Sequence, residues 1–585
     1  MLRLRWLGRV PYRQALALQT GLFTHGRENH LLLLEHPHVF THGPRAELAT
    51  NVLVDPASVG AELVSVHRGG DVTYHGPGQL VGYPILTLPS KHGTDTGMAD
   101  TVAYVRQVEQ LIIDTLGELG LRTAGRLREY PGVWIDPESE HPRKICAIGV
   151  RLSRGRTMHG FALNIDPDLR YMRDYIIPCG IPDKAVTSLA EEGIDVTMEA
   201  VTTIVGRLAA AQWGNGVLER QDVAWKHRPE DLSAFSRGEG PGEVVRHPAD
   251  HGVERLTTGK SPEPSNMSGL TGTSVRMRGR LDRAGVTDGL SIAARKPEWL
   301  RPKVRIDAPV LALKQTIRDL NLITVCEEAG CPNLSECWSD GTATFMVLGE
   351  RCTRACGFCL VDTQKPLVVD ETEPLRVAEA VERMGLGHAV LTMVARDDLV
   401  DGGMGLVAAT VDAIRLRRPG TTVETLVSDG KGDAASFQAL LDVRPDIFNH
   451  NLETVARLQH AVRPSAGYAR SLGVLAMAKA AGLTTKSGLI VGMGETIAEL
   501  EGALADLAGI GVDIVTIGQY LRPTSHHLPV VRWVDPAEFV DLKRFGEAHG
   551  IGHVESSPLT RSSYHASQSA AAVTGPRQFS GSASG

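Results

Sequence analysis

Apolar and polar residues alternate differently in the two halves of the chain. In residues 1–213, apolar runs such as HLLLLEHPHVF and QLVGYPILTL are separated by turn signals. Apolar residues at three- and four-residue spacing predict a helix over Val102–Leu119. The runs GVWID, KICAIGVRLS and HGFALNI then predict paired strands. Strands and helices in this order predict a mixed α+β or α/β domain over residues 1–213.

The second half has a more regular pattern. From about Arg295 onward, short apolar runs such as ATFMVLG, HAVLTMVA and DIVTIGQYL alternate with helical stretches such as GLVAATVDAIRLRR. Alternation of strand and helix predicts a parallel sheet or barrel of βα units. The number of units, about six, fits an incomplete barrel better than a complete eightfold one.

The residues between these two patterns have a different composition. Glycine, proline, serine and threonine make up half of the stretch Ser236–Val275, which contains no aromatic residue. Such composition predicts a flexible linker over residues 214–290, joining a domain at 1–213 to one at 291–585. A long loop on one of the domains is the alternative interpretation.

Composition and charge narrow the class of protein. Apolar residues make up 42% of the 585 residues and charged residues 22%, which excludes wholesale disorder. A net charge of −7 and an aromatic content of 5% argue against a nucleic-acid partner. The N-terminus has no apolar signal-peptide core, and no apolar run is long enough to span a membrane. We therefore expect a soluble, cytoplasmic protein without a membrane partner.

The cysteines indicate metal chemistry. Six of the eight form two triplets, C-x4-C-x5-C at Cys326, Cys331 and Cys337 and C-x3-C-x2-C at Cys352, Cys356 and Cys359. Clustered thiols suit iron–sulfur clusters, zinc or copper(I). Zinc usually takes four ligands from paired C-x2-C motifs, whereas a 4Fe–4S cluster held by three cysteines leaves one iron free for another molecule. Structural zinc, or buried thiols for the first triplet, are the alternatives.

Seven motifs follow one another along the C-terminal half: RKPEWLR, VCEEAGCPNLSECW, CTRACGFC, RDDLVDGGMG, NHNLETVARLQHAVRP, GLIVGMGET and RSSYHA. In this order they resemble the motifs of lipoyl synthases of the radical SAM superfamily. The resemblance implies a partial (β/α) barrel with auxiliary-cluster extensions. It also implies two sulfur insertions, at carbons six and eight of a protein-bound octanoyl chain, with electrons from a ferredoxin- or flavodoxin-type donor.

The same resemblance assigns the metal ligands. Cys352, Cys356 and Cys359 would hold a 4Fe–4S cluster that binds S-adenosylmethionine, and a second, auxiliary 4Fe–4S cluster would be consumed as the sulfur donor. The auxiliary cluster's ligands would be Cys326, Cys331, Cys337 and Ser563. Ser563 rests on the resemblance alone, because a serine in such a sequence is usually a helix cap or turn residue.

Candidate chemistry in the N-terminal half lies in three motifs. The glycine-rich run from Arg68 to Ile85 is typical of a loop that admits a ligand close to backbone. RKICAIGVR contains Lys144, one of only three lysines before Gln212, and IIPCGI contains Cys179. A lysine ammonium near a cysteine favours the reactive thiolate.

These motifs resemble lipoyl(octanoyl) transferases, which have a biotin/lipoate-ligase-like α+β fold. The resemblance implies that Cys179 takes octanoyl from acyl carrier protein as a thioester, that Lys144 activates it, and that a lipoyl-domain lysine then accepts the acyl group. Backbone N–H groups near Cys179 are expected to stabilise the oxyanion. The acyl channel would be lined by Arg68, Gly69, Gly70, Asp71, Val72, Thr73, Tyr74, His75, Ala147, Ile148, Gly149, Gly160, Phe161 and Ala162.

Other interpretations of individual residues and of this half remain open. Cys146 is expected to be a packed, non-catalytic thiol, and His75 either orients the lysine or braces the loop. An ATP-dependent lipoate or biotin ligase would need no cysteine nucleophile, and a non-catalytic carrier-binding module would need neither Cys179 nor Lys144. We favour a two-domain α/β enzyme of lipoyl assembly that acts on lipoyl domains of 2-oxoacid dehydrogenases and glycine cleavage H protein.

Overall fold

A nine-stranded mixed sheet forms the framework of the N-terminal half. The computed structural model describes residues 1–91, 99–225, 280–301, 308–324, 333–339 and 341–574. The strands in spatial order are β12 (Leu218–Asp222), β1 (Leu2–Arg9), β2 (Asn29–Glu35), β6 (Gln79–Ile85), β10 (Arg156–Asn164), β9 (Arg143–Ser153), β8 (Tyr130–Ile135) and β7 (Ala124–Leu127), with β11 (Ala185–Val186) paired to β9. β1 runs parallel to β2 and β12, and β11 runs parallel to β9, whereas the remaining pairings are antiparallel.

A small three-stranded sheet adjoins the large one and carries part of the glycine-rich segment. Its strands are β4 (Glu62–Ser65), β3 (Val39–His42) and β5 (Thr73–His75). The helices of this half are α1 (Tyr12–His25), α2 (Leu48–Asn51), α3 (Thr101–Glu118), α4 (Arg170–Arg173) and α5 (Met198–Trp213). The helix predicted from the apolar spacing is therefore confirmed as α3, and Asp100 caps its N-terminus by accepting from two backbone N–H groups.

The C-terminal half is an open barrel of eight strands within the described residues. In spatial order these are β13 (Ile323–Thr324), β14 (Thr342–Val347), β15 (His388–Met393), β16 (Thr422–Leu426), β17 (Ile447–Asn449), β18 (Thr485–Val491), β19 (Ile514–Gln519) and β20 (His553–Ser556). Only β13 is antiparallel, and the edge strands β13 and β20 do not pair with each other. The predicted incomplete barrel is confirmed.

Helices connect the parallel strands and cover the outside of the barrel, so strands such as β14 and β19 are buried along their whole length. The helices are α6 (Ala308–Asp319), α7 (Leu334–Ser339), α8 (Glu373–Arg383), α9 (Met404–Arg417), α10 (Gln438–Val443), α11 (Gln459–Val462), α12 (Tyr468–Ala480), α13 (Ile497–Gly509), α14 (Pro536–Ala548) and α15 (Ala566–Thr574). α13 and α14 each begin with a capping box, formed by Thr496 with Glu499 and by Asp535 with Glu538.

The predicted linker at 214–290 is too long at both ends. β12 completes the first sheet by pairing with β1 in register from Leu2↔Leu218 to Trp6↔Asp222. At the other end, Leu281 and Val286 are buried in the apolar core. The sequence did not predict β12, because its residues, LERQD, are mostly polar. A strand at the edge of a sheet can form without an apolar run of its own. Residues 226–279 lie outside the described residues.

The two halves share one apolar core. A single cluster of contacting buried residues includes Leu22 of α1 together with Leu475 of α12 and Ile510 after α13. No helix in the described part of the chain is both long and apolar enough to cross a membrane.

Candidate functional site

A small cavity of about 40 Å³ in the N-terminal half collects most of the predicted channel residues. Its lining includes Cys179, residues of β9 and β10, and residues of the glycine-rich segment. Twelve of the fourteen predicted channel residues line this cavity: Arg68, Gly69, Gly70, Asp71, Thr73, His75, Ala147, Ile148, Gly149, Gly160, Phe161 and Ala162. The volume is room for only a few water molecules.

Val72 and Tyr74, which were predicted to line the channel, do not line this cavity. Both are fully buried in a separate apolar cluster with Phe40. Side chains alternate along an extended chain, so Thr73 and His75 face the cavity while their neighbours face the other way. The tyrosine hydroxyl is hydrogen-bonded to His38 Nδ1 at 2.9 Å.

Cys179 occupies a strained turn. It lies in the 3₁₀ turn Pro178–Gly180 with φ of +57°, a conformation that residues other than glycine rarely adopt. Its N–H donates to Val72 O at 2.8 Å, and the N–H of Gly180 donates to Ile177 O at 3.2 Å. These two backbone N–H groups therefore already have acceptors within the protein. The expectation that backbone N–H groups near Cys179 stabilise an oxyanion stays a prediction.

Lys144 lies apart from this cavity. Its side chain is buried, and Nζ lies 4.8 Å from the centroid of the Trp134 ring, in a cation–π contact. Lys144 does not line the cavity, and within the described residues no hydrogen bond joins it to Cys179. The sequence assigned Lys144 as the activator of Cys179, whereas its electrostatic neighbour here is Cys146.

The positive group beside Cys179 is Arg68. Burial lowers the pKa of this guanidinium, and the neighbouring Cys179 opposes that shift. Its Nη2 donates to Thr41 O and Oγ1, both at 2.8 Å, and Nη1 donates to Asp71 O at 3.0 Å. Nε is buried without a hydrogen-bond partner among the described residues. Arg68 thus both fixes its own loop and leaves one N–H donor unused.

Histidine and tyrosine side chains form a cluster around the glycine-rich segment, and three of them, Tyr12, His36 and Tyr83, were not predicted from the sequence. Tyr12 and Tyr83 line the cavity, and His36 Nε2 lies 2.7 Å from the Tyr83 hydroxyl. Burial lowers the pKa of His36 to about 4, so this histidine is neutral near pH 7. His75 bonds Gln79 Oε1 at 2.9 Å, which favours the interpretation that it braces the loop. Tyr12, His36 and Tyr83 lie far apart in the sequence, so no local motif marks them as neighbours.

Cys146 has a very different environment from Cys179. Its side chain is fully buried in the apolar core, and burial raises the pKa of the thiol well above its ordinary value. A thiol without access to solvent and with little thiolate is unsuited to nucleophilic attack.

A second and much larger cavity, of about 570 Å³, lies in the barrel of the C-terminal half. Cys359 lines it beside the end of β14, and Ser563 of the RSSY motif lines it from the C-terminal segment. Two chemically different predicted ligands, about 200 residues apart in sequence, therefore meet at one cavity.

The thiols of the C-x3-C-x2-C triplet lie close enough to affect one another. Burial and the neighbouring thiols raise the pKa of Cys356 to about 11 and that of Cys359 to about 12. Cys352 Sγ accepts hydrogen bonds from the N–H groups of Arg354 and Ala395, at 3.4 and 3.3 Å. With raised pKa values, the thiols of Cys356 and Cys359 are protonated near pH 7. Bound iron would displace those protons, because metals bind the thiolate form.

No group of three or more His, Cys, Asp or Glu side chains in the described residues is arranged to hold a single metal ion. A four-iron cluster is larger than one ion and holds its cysteines farther apart. The donor set, three neighbouring thiols at the end of a barrel strand beside a large cavity, fits such a cluster and gives no support to a closed zinc site.

Only part of the auxiliary set can be placed. Cys326 and Cys331 lie outside the described residues, whereas Cys337 lies in α7. α7 contacts the RSSY segment, since Tyr564 OH lies 3.3 Å from Glu336 Oε1. Just before each of these segments, Asn333 Nδ2 donates to Leu559 O at 2.7 Å. Cys337 and Ser563 thus belong to neighbouring segments.

Polar groups in the barrel cavity were missed as functional residues. Asn451 and Glu453 line it, Glu453 adopts φ of +67°, and burial raises the pKa of the Glu453 carboxyl. Asn451 Oδ1 is buried without a hydrogen-bond partner in the described part of the chain. Gly488 also lines the cavity, and a Cβ there would lie 2.8 Å from that same oxygen. The cavity therefore presents an unsatisfied acceptor and close backbone to a ligand.

A buried ion network supports the cysteine loop. Arg354, which lies between Cys352 and Cys356, donates to Asp397 at 2.8 Å and pairs with Asp429 at 2.6 Å. Burial opposes ionisation of Asp429, but Arg354 and Arg470 outweigh it and lower the pKa of that carboxyl well below its usual range. The loop conformation therefore depends on charges from two neighbouring barrel loops.

Comparison with known proteins places both halves. The lipoyl synthase of Rubrobacter xylanophilus is 54% identical over 46% of this chain and 85% of its own length. The chain belongs to the lipoyl synthase family. The lipoyl synthase of Mycobacterium leprae is 50% identical over 49% of this chain and 91% of that protein. The radical SAM superfamily matches residues 346–507, and the N-terminal domain of lipoyl synthase of the radical SAM family matches residues 277–331.

The remaining family match covers the other half. Residues 11–207 match the lipoyl protein ligase A/B catalytic domain. A chain from a structural analysis of a bipartite lipoate protein ligase and its E2 lipoyl domain from Thermoplasma acidophilum is 17% identical over 38% of this chain and 88% of that chain, with a TM-score of 0.32. The chain thus joins a lipoyl ligase- or transferase-type domain to a radical SAM lipoyl synthase.

Proposed function

We propose that the chain catalyses two consecutive steps of lipoyl assembly. The N-terminal half transfers octanoyl from acyl carrier protein to a lysine of a lipoyl domain, and the lipoyl synthase half inserts sulfur at carbons six and eight. The observation that carries the first step is the half-buried Cys179, which shares its cavity with twelve of the fourteen predicted channel residues.

In the proposed first step, the Cys179 thiolate attacks the thioester carbonyl of octanoyl-carrier protein. The C–S bond to the carrier breaks, an octanoyl thioester forms on Cys179, and the carrier leaves as a thiolate that takes up the proton lost by Cys179. The ε-amine of a lipoyl-domain lysine then attacks that thioester, loses a proton and forms the amide, which regenerates the thiol. Covalent catalysis of this kind divides one difficult acyl transfer into two easier ones.

Arg68 has the features needed to stabilise both charged species. Its guanidinium interacts with Cys179, and its buried Nε–H has no partner in the described residues. An unpaired donor of this kind is suited to the oxyanion of the tetrahedral intermediate. The cavity of about 40 Å³ is too small for an eight-carbon chain, so acyl binding requires the cavity to widen.

For the second step, Cys352, Cys356 and Cys359 would hold one 4Fe–4S cluster, and Cys337 and Ser563, with Cys326 and Cys331, would hold the other. Together with S-adenosylmethionine, the clusters supply one-electron cleavage, hydrogen abstraction from carbon and sulfur for insertion. Asn451, Glu453 and Gly488 line the cavity that would receive the cofactor. A ferredoxin- or flavodoxin-type protein would supply electrons.

The proposal is tested by supplying octanoyl-carrier protein, apo lipoyl domain, S-adenosylmethionine and a reductant to the reconstituted chain. We expect lipoyl-lysine to appear, as measured by mass spectrometry of the lipoyl domain. Without S-adenosylmethionine, the reaction should stop at octanoyl-lysine. Octanoylation that needs free octanoate and ATP, with release of pyrophosphate, would instead identify the N-terminal half as a ligase.

A further inference from the structure

One face of α1 packs directly against the lipoyl synthase half. Its contact residues, Gln14, Ala17, Gly21 and His25, recur at helical spacing and so lie on one side of the helix. A Cβ at Gly21 would lie 2.8 Å from Ala476 Cβ and 3.1 Å from Ile510 Cγ2. The helices therefore approach as closely as the absence of a side chain allows.

Glycines of the lipoyl synthase half also lie in close contact with the N-terminal half. A Cβ at Gly473 of α12 would lie 3.0 Å from Gln14 O, and one at Gly509 of α13 would lie 2.9 Å from Leu22 Cδ2. A Cβ at Gly502 would overlap the side-chain amide of Gln221, which donates to Ala498 O at 3.1 Å. Glycines on both partners thus match backbone shape along the contact, as in protein interiors.

A buried ion cluster lies at the centre of this contact. Arg5 of β1 is 1% exposed and donates from Nε to both carboxylate oxygens of Asp506 in α13, at 3.0 and 2.8 Å. Glu219 of β12 lies 2.8 Å from Arg5 Nη1, and Tyr468 of α12 donates its hydroxyl to Asp506 at 2.8 Å. The guanidinium is thus compensated by one carboxylate from each half.

His30 is the other titratable group that faces Asp506. Its Nε2 lies 3.9 Å from Asp506 Oδ1, and burial lowers the pKa of this imidazole to about 4. It is neutral near pH 7, so Arg5 is the cation that compensates Asp506. Separating the halves would break the Arg5–Asp506 pair and expose an apolar helix face to water.

We propose that this contact is a stable docking surface in its own right. The face of α1 with β1 binds the face of α12 with α13 tightly enough that the two halves stay together without a covalent connection. The inference does not depend on either proposed activity. It assigns to α12 and α13 a partner of defined chemistry, an amphipathic helix with small residues beside a buried arginine.

The test uses the full chain with a protease site inserted between Gly259 and Lys260, cut after folding. We expect the two fragments to co-elute at the volume of the uncut chain at low micromolar concentration, in 0.15 M and in 1 M salt. Elution as two separate fragments would overturn the proposal.

Two sets of variants locate the surface. Gly21→Leu should weaken fragment association about 10- to 100-fold, whereas Gly117→Leu in α3, where a Cβ meets nothing within 4 Å, should leave it unchanged. Circular dichroism of the separated fragments checks their folding. Wild-type association in a folded Gly21→Leu chain would overturn the assigned surface.

The ion cluster has a distinct signature. Arg5→Leu or Asp506→Leu alone should weaken association at least about 100-fold, because each leaves a buried charge without its partner across the contact. The double variant should return to within about tenfold of the wild type. Additive losses in the double variant would show that the two residues do not act as a pair across the contact.

Discussion

Two cysteines of the N-terminal half differ in everything that decides reactivity. Cys179 is half-buried in a strained turn beside Arg68, whereas Cys146 is fully buried in the apolar core with its thiol pKa raised. Sequence alone distinguished them only through a motif, because neither burial nor backbone strain can be seen in a run of letters.

The first prediction concerns the acyl nucleophile. After incubation with octanoyl-carrier protein, intact-mass spectrometry should show an octanoyl adduct on the wild-type chain and on Cys146→Ala. Cys179→Ala should show none, since it lacks the only half-buried thiol of the cavity. An adduct that persists in Cys179→Ala would contradict the proposed mechanism.

The second prediction separates Arg68 from Lys144. A neighbouring cation attracts a thiolate, so Arg68→Gln should slow alkylation of Cys179 at pH 7 several-fold. The readout is iodoacetamide labelling of the Cys179 peptide. Lys144→Gln in the same assay tests the motif-based assignment. An unchanged labelling rate in Lys144→Gln would leave Arg68 as the activating charge.

Candidate residues can be recognised from sequence when they lie close together in the chain, as the cysteine triplets and the glycine-rich loop do. Asn451, Glu453 and Tyr12 could not be recognised in this way, since only the fold brings them to a cavity. A motif also does not record which way each side chain of a strand faces, and Val72 and Tyr74 face an apolar cluster instead of the cavity.

At the scale of strands, a buried ion pair inside the barrel connects two of its strands. Lys486 of β18 donates to Glu424 of β16 at 2.9 Å, both side chains are fully buried, and Asn449 donates to the same carboxylate. Burial opposes ionisation of Glu424, but Lys486 and His388 outweigh it and lower its pKa to about 2. These residues tie four strands together.

The third prediction follows from that pair. Lys486→Met should destabilise the barrel by roughly 3–5 kcal/mol, as measured by urea unfolding, because it leaves the buried Glu424 carboxylate without its cation. The Glu424→Met/Lys486→Met double variant should lose less. Equal losses in the single and double variants would mean that packing, and not charge, is responsible.

The same pair gives a pH dependence with a defined sign. A carboxyl whose pKa is lowered on folding stabilises the protein above its unfolded pKa, about 4.3. That contribution should decline as pH falls from about 4.3 towards about 2, and Glu424→Met should flatten the decline. Unfolding midpoints measured across that range provide the comparison.

The fourth prediction concerns the loop after β14 and helix α7. Anaerobic reconstitution should give about eight irons per chain, and about four in either Cys356→Ala or Cys337→Ala. Cys146→Ala, a matched cysteine outside both triplets, should retain about eight. One zinc per chain in place of iron would refute the two-cluster proposal.

Element boundaries were predictable where periodicity was strong and not where pairing was remote. α3 and the barrel strands follow from apolar spacing within their own residues. β12 has a polar sequence and exists because β1, more than 200 residues earlier, offers it an edge. Long-range pairing of this kind assigned five residues to the first sheet that composition assigned to the linker.

Over the whole molecule, the two halves are joined by buried contacts. One large apolar cluster spans both halves, and the closest contacts between them involve glycines and a buried ion pair. Sequence analysis predicted two domains joined by a linker, and no local pattern could show that they share a core.

The fifth prediction is that the chain unfolds as a unit. Because neither half can be exposed without uncovering the shared core, calorimetry should show one main transition. Gly21→Leu should divide it into two, while Gly117→Leu should not. Two well-separated transitions in the wild type would contradict a common core.

The contact between Arg5 and Asp506 also constrains how the protein is made. The two residues are 501 positions apart. At a synthesis rate of about 5–20 residues per second, Arg5 leaves the ribosome roughly 25–100 s before its partner. Until α12 has been synthesised, the face of α1 that contacts Gly473 and Ala476 has no partner from the other half. Nascent chains that end before Tyr468 should therefore be the forms that chaperones retain.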